Sequence, residues 1–238
     1  MIKQKKILAV IPARGGSKGI PNKNILNINN KPLINFSIEA ALRSKFIDDL
    51  IVSTDSTQIA EIAKKAGAKV PFLRPKHLAT DKAVSLPVIL HALEFMELNT
   101  NSKYDVIIML QPTTPLRETN DIDQCLTMLI DKNADSVISV VNVGGYHPLR
   151  MKRIVGENLV NYIDQGFEDM RPRQELPNVY IRNGAIYIAT RKTIVEDKSF
   201  SGTNTLPYIM SSTKSINLDT EDDLRLLETR FNSVSKNG

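Results

Sequence analysis

The chain has 238 residues, 42% hydrophobic and 24% charged, an ordinary globular composition with length for one α/β domain. A net charge of +5 raises nucleic acid as a partner, but the basic residues are scattered, aromatic content is 5% and tryptophan is absent. The charge therefore suits a small anionic substrate rather than a nucleic acid. One cysteine excludes an intrachain disulfide and suits a reducing cytoplasm. No stretch approaches the ~20 apolar residues of a membrane span, and the basic start Met1–Lys6 leads into an apolar run too short for an export signal.

Ile7 to Ile11 is apolar without alternation, as expected for a central strand covered on both faces. It empties into Pro12-Ala13-Arg14-Gly15-Gly16-Ser17-Lys18-Gly19-Ile20-Pro21-Asn22-Lys23-Asn24. Glycines let backbone N–H groups approach a ligand, and Arg14, Lys18 and Lys23 supply positive charge, so this loop reads as a phosphate cradle. Neither the G-x-x-x-x-G-K-[ST] nor the G-x-G-x-x-G spelling fits it.

A helical pattern opens at Lys31-Pro32-Leu33, with Leu33, Phe36, Ile38, Ala40, Ala41 and Leu42 on its apolar face. Asp49 to Asp55 reads as a strand, and Ser56 caps a helix from Thr57 to Ala66 that Gly67 ends. Lys69 to Pro75 reads as a short strand and turn, followed by a helix near Ser85 to Leu98 in which His91 has no assigned role. Tyr104 to Leu110 is a further buried strand, leading into Gln111-Pro112-Thr113-Thr114-Pro115-Leu116-Arg117. Helix Asn120 to Asp131, with Cys125 among its packing residues, and strand Asp135 to Val141 continue the alternation. Such βα steps predict an α/β fold, a doubly wound, mostly parallel Rossmann-like sheet, with ligands bound beyond the carboxyl ends of the strands. The cradle, Ser53-Thr54-Asp55 and Gln111 to Thr114 all fall at that edge.

The alternation stops at Gly144-Gly145. From 146 to 178 there is no helical period, only prolines and a possible hairpin strand at Glu157 to Tyr162, which reads as an insertion in a single domain spanning 1–238. Its apolar residues Leu149, Met151, Ile154, Phe167 and Met170 need a cover, and a second copy of the chain is the commonest one. Asn183 to Ala189 returns to strand character. Ser215 to Asp223 reads as a short strand entering a helix packed through Leu224, Leu226 and Leu227, and 233–238 as a frayed tail.

Ile11 to Asn24 closely resembles the N-terminal signature of the acylneuraminate cytidylyltransferases, the CMP-sialic acid synthetases and their relatives acting on legionaminic or pseudaminic acid. The resemblance continues through Val52 to Asp55, Leu73-Arg74-Pro75, Leu110 to Arg117, His147-Pro148-Leu149, Arg171 to Pro177 and Asn183 to Ile188. It implies a nucleotidyltransferase that moves CMP from CTP to the anomeric hydroxyl of an acidic nine-carbon sugar, with Mg²⁺ as cofactor and pyrophosphate released. By position, Arg14, Ser17, Lys18 and Lys23 would hold the phosphates, with Arg14, Lys18 and Lys23 carrying catalysis. Asn24 would lie beside base or triphosphate, and Arg74 and Ser85 at the cytosine end. Gln111, Thr113 and Thr114 would face the sugar. Arg173 and Gln174 would come from the insertion, which in this family crosses a homodimer interface and helps close the partner's site.

Two departures stand out. Where the family carries Asp-x-Asp near its last strand, this chain has Asn217-Leu218-Asp219. Asp219, with Asn217 as a neutral oxygen, remains a feasible Mg²⁺ site beside phosphates, and the alternative role for Asp219 is helix capping. Sialic-acid enzymes often read Arg-Pro-Asn-Gly where this chain has Ile181-Arg182-Asn183-Gly184, so the wall meeting the sugar differs. Asp55 is open as a general base or a solvated loop carboxylate. The competing functions are a cytidylyltransferase for another ulosonic acid and a nucleotide-binding regulator without turnover. A 3-deoxy-octulosonate enzyme is disfavoured by Gln111-Pro112-Thr113-Thr114-Pro115, where that relative normally carries an aspartate.

Overall fold

The computed structural model describes residues 2–17 and 19–235; Lys18 and the tail end at 236–238 lie outside the described residues. The strands are β1 (Ile7–Pro12), β2 (Asn27–Ile28), β3 (Lys31–Pro32), β4 (Asp49–Ser53), β5 (Val106–Met109), β6 (Ser136–Asn142), β7 (Lys152–Val155), β8 (Asn158–Asn161), β9 (Tyr180–Thr190) and β10 (Thr205–Ile209). The α-helices are α1 (Leu33–Leu42), α2 (Thr57–Lys65), α3 (Ser85–Thr100), α4 (Thr119–Asp131), α5 (Arg191–Val195) and α6 (Glu221–Ser235).

Six strands form one sheet in the order β10-β6-β9-β5-β1-β4. Five run parallel, and β9 is antiparallel to both of its neighbours, β5 and β6. The mixed α/β, mostly parallel architecture is the one expected. Strand β1 is buried on both sides, and its side chains divide between two cores. Ile7, Ala9 and Ile11 pack with Ile34, Ile38, Ile122 and Leu126 from α1 and α4. Leu8 and Val10 pack with Ile89 and Leu93 of α3 on the opposite face. A third cluster joins Ile20 of the cradle loop to Leu33, Ile216, Leu218 and Leu227, fastening the loop to the segment before α6.

Several local expectations hold for visible reasons. The Ser56 side chain accepts from Ile59 N at 3.4 Å, capping α2, and Gly67 follows that helix at φ +95°, where a β-carbon is disfavoured. The hairpin in the insertion is β7–β8, with Ile154 opposite Leu159. Cys125 is buried in the core, where burial pushes its thiol up, out of the range of a nucleophile. Other expectations fail. Residues 215–219 form no strand, and Leu42, expected on the apolar face of α1, is half exposed. The strand expected at Lys69 to Pro75 reduces to single bridges, Ile51 to Lys69 and Thr54 to Leu73.

Candidate active site

Chain order places the site. From β1 the sheet grows one way to β4 and the other way to β5, so the carboxyl ends of β1 and β5 flank a switch point. The cradle leaves β1 there and Gln111 to Thr114 leave β5 there. Between them lies a cleft of about 360 Å³. Arg14, Ser17, Lys23 and Asn24 line it from the cradle, Arg74 and Ser85 from the far side, Gln111 and Thr113 after β5, and Asn217 and Asp219 before α6. Residues distant in sequence thus surround one space.

The cationic end is built around Lys23. Its Nζ donates to Asp219 Oδ1 at 2.8 Å and to the Leu218 carbonyl at 2.8 Å. Asn217 Nδ2 also donates to Asp219, through Oδ2. Arg14 is held by Asp81, with Nη1 to Oδ1 at 2.7 Å, and its carbonyl accepts from Asn24 Nδ2 at 3.0 Å. Asn24 therefore also braces the cradle backbone. Gly15 N donates to Asp55 Oδ1 at 2.9 Å, so Asp55 supports the cradle from behind and does not line the cleft.

At the opposite end Arg74 is almost fully buried, donating through Nε to Ser53 Oγ at 3.1 Å and through Nη2 to the Ser53 carbonyl. Burial pulls its guanidinium down to about 10, against the upward pull of Asp55. It stays charged at neutral pH and contributes a fixed positive wall.

Asp219 does not cap α6. That role belongs to Thr220, whose Oγ1 accepts from Asp223 N at 3.2 Å, while Asp223 Oδ2 accepts from Thr220 N at 2.8 Å. The Asp219 carboxylate is left to face the cleft. Close approach keeps it there: a β-carbon on Gly19 would lie 2.5 Å from the Asp219 carbonyl oxygen.

Three assigned sugar residues lie elsewhere. Thr114 is fully buried, and its hydroxyl donates to the Asn183 carbonyl at 3.0 Å, so it braces a wall instead of facing the cleft. Arg173 and Gln174 line a separate hollow with His147 and Leu176. A second hollow of about 370 Å³ adjoins the cleft and shares Gln111 and Asn217 with it. Its remaining wall includes Arg182, Gly184 and Tyr187, which sequence reasoning did not assign. Gly184 sits at φ +78°, and a β-carbon there would fall 2.8 Å from Gln111 Oε1. Arg117 was also unassigned. It is buried and donates to the Ala185 carbonyl at 2.8 Å, to Ser37 Oγ at 2.6 Å and to the Gln111 carbonyl, fixing the loop after β5.

A cationic cradle paired with a carboxylate at one end of a strand-end cleft, on this sheet, suits the phosphates of a nucleotide, and the relatives of the chain are nucleotidyltransferases. Residues 8–197 match the family model described as cytidylyltransferase. The chain is 38% identical over 226 residues to the CMP-N,N'-diacetyllegionaminic acid synthase of Legionella pneumophila, covering 94% of this chain and 95% of that protein. It is 33% identical to the pseudaminic acid cytidylyltransferase of Campylobacter jejuni, covering 95% and 96% of the two. Among solved structures, a CMP:2-keto-3-deoxy-manno-octonic acid synthetase complexed with CTP superposes with a TM-score of 0.68 at 18% identity, covering 97% of this chain and 99% of that one. The chain belongs to the cytidylyltransferase family.

Proposed function

We propose that this protein transfers CMP from CTP to the anomeric hydroxyl of an acidic nine-carbon sugar, a sialic acid or a legionaminic-type relative, with Mg²⁺ as cofactor and pyrophosphate as second product. The observation that carries the reading is the pair of adjoining hollows meeting at Gln111 and Asn217. One has the cations a triphosphate needs, and the other has room for an acceptor beside it. In the reaction the hydroxyl oxygen loses its proton to solvent and bonds to the α-phosphorus, the bond from the α-phosphorus to the bridging β-phosphate oxygen breaks, and charge gathers on the leaving pyrophosphate. Lys23 and Arg14 line the cleft, and on this reading they would hold the phosphates, where fixed cations favour the transition state over the ground state.

The donor set suits Mg²⁺ delivered with the nucleotide. Among the described residues no three His, Cys, Asp or Glu side chains group as a metal site. Asp219 is one carboxylate at the cationic end, where its Oδ1 accepts from Lys23. One carboxylate with phosphate oxygens and waters fits this ion. Asp219 would hold it, with Asn217 beside or behind a water. When bound, Mg²⁺ would neutralise charge on the phosphate oxygens.

Two further parts of the reading concern setting. No helix among the described residues is long and apolar enough to cross a membrane, and a lone buried cysteine fits a reducing cytoplasm. The insertion at 146–178 supports a homodimer, because Met151, Ile154, Leu159, Phe167 and Met170 are exposed.

Pyrophosphate release from each of CTP, ATP, GTP and UTP, with sialic, legionaminic and pseudaminic acids as acceptors, tests the function. Release with CTP and at least one acid, and little with the other nucleotides, is expected. Equal release from all four nucleotides, or none with any acid, would overturn it.

A further inference from the structure

Of the nine residues around the second hollow, Arg182 alone is charged. No carboxylate lines that hollow, and the Arg182 guanidinium makes no ion pair with any described residue. Its neighbours are already committed. Asn183 donates through Nδ2 to Ser215 Oγ at 2.9 Å, and its Oδ1 accepts from Ser139 Oγ at 2.6 Å and from Ala185 N at 3.1 Å. Thr114 is spent on the Asn183 carbonyl. Gln111 and Asn217 open the hollow towards the nucleotide cleft, and Gly184 keeps that passage clear of a side chain. Arg173 lines a different hollow of its own chain. An exposed, unpaired guanidinium in the wall of a hollow that adjoins the nucleotide cleft suits a planar anion, which its fork can bind through two parallel hydrogen bonds.

We propose that Arg182 anchors the carboxylate of the acceptor sugar within the same chain and so selects acidic acceptors. This rests on the acceptor class proposed above. With the carboxylate fixed on Arg182, the adjacent anomeric hydroxyl is directed through the Gln111–Asn217 passage towards the nucleotide. Arg182 lies on β9 opposite Val140, on a strand braced by Arg117, so its backbone has a rigid mount. Its charge also bears on Tyr187, whose hydroxyl burial pushes up and Arg182 pulls back. The two side chains thus share the hollow.

The test compares the accepted nonulosonic acid with its methyl ester in wild type, Arg182→Ala, Arg182→Lys and Arg173→Ala, with CTP saturating and thermal melting measured in parallel. Expected for Arg182→Ala is an acceptor KM raised about 10- to 100-fold, an unchanged CTP KM, an unchanged melting temperature, and loss of the preference for acid over ester. Arg182→Lys should recover part of the preference, because it restores charge without the fork. Retention of the wild-type preference in Arg182→Ala, or its loss in Arg173→Ala alone, overturns the assignment. Wild type inactive with CTP and every acid would instead defeat the proposed function itself, so the two failures are distinguishable.

Discussion

Gly19 and Asp219 touch so closely that the cradle and the segment before α6 behave as one piece: a β-carbon on Gly19 would meet the Asp219 carbonyl oxygen at 2.5 Å. The obstacle is backbone, which cannot swing aside as a side-chain tip can. Gly19→Ala should therefore push the loop off Asp219 while leaving both main cores intact. Overpacking of this kind costs about 1–3 kcal/mol, and a displacement near 1 Å at a reacting centre can cost about 100-fold in rate. A fall in turnover of that order with a modest fall in melting temperature is expected. Normal turnover would show that the contact has no functional weight.

Lys23→Ala separates catalysis from folding. The pair it makes with Asp219 is one-sided in burial, with 13% of the lysine side chain and 59% of the carboxylate exposed, so its contribution to stability is about 0–1 kcal/mol. Removal should lower the melting temperature by roughly 2–4 °C at most. Pyrophosphate release should fall by about 100- to 1000-fold, the scale for a fixed transition-state donor. A loss of stability with unchanged turnover per folded molecule would remove Lys23 from the site.

The sheet and the cradle were legible in the sequence because both depend on local pattern: an unbroken apolar run, a glycine-rich loop, a capping serine. β9 was legible only in part, since Tyr180-Ile181-Arg182 joins the strand through pairing with β6, beyond any local signal. β10 carries no local strand signal because Pro207 sits within Thr205–Ile209, and an edge strand tolerates it. The family resemblance implies that Thr114 faces the sugar, whereas its hydroxyl turns inward to the Asn183 carbonyl, 69 positions away. The role of Arg117 was hidden for the same reason. Its acceptors, Ser37, Gln111 and Ala185, come together only in the fold.

Asp219 and Asn217 can be distinguished by metal titration. Because Thr220 and Asp223 cap α6, Asp219→Asn should leave stability nearly unchanged, and Thr220→Ala should lower it by about 1 kcal/mol. Asp219→Asn should reduce turnover sharply and raise the Mg²⁺ concentration needed for half-maximal pyrophosphate release. Asn217→Asp should be tolerated and should lower that concentration, since it adds a second carboxylate. An Asp219→Asn enzyme with the wild-type Mg²⁺ requirement would exclude Asp219 as the metal ligand.

Away from the site, Glu97 carries a pH signature. Burial alone would raise its carboxyl, but Arg191 Nε at 2.8 Å, Lys103 Nζ at 2.9 Å and Tyr104 N at 3.2 Å override burial and lower it from 4.5 to about 2. The folded value lies below the unfolded one, so the stabilisation is complete above pH 4.5 and is lost as pH falls through 2. Between pH 7 and pH 3 the stability difference between wild type and Glu97→Gln should therefore shrink by about 2 kcal/mol. Urea unfolding at the two pH values measures it. A constant difference would mean that the carboxylate is not held by these donors.

The insertion makes the furthest-reaching prediction. Ile154 and Leu159 face each other across β7 and β8, 77% and 69% exposed, with Phe167 and Met170 also exposed nearby in sequence. A two-stranded ribbon is marginal alone, so this one needs a cover. If that cover is a second copy, Ile154→Glu should yield a folded monomer by sedimentation at micromolar concentration, where wild type sediments as a dimer. Arg173 and Gln174, displaced from their own cleft, would then serve the partner's. Mixing gives the sharper test. Lys23→Ala and Arg173→Ala should each be weak alone, but a mixed dimer would contain one site with both residues intact. Random re-pairing makes half of the dimers mixed, so co-refolded material should recover roughly one quarter of wild-type turnover. Recovery no better than the average of the two variants would confine Arg173 to its own protomer, and a wild-type monomer would remove the dimer altogether.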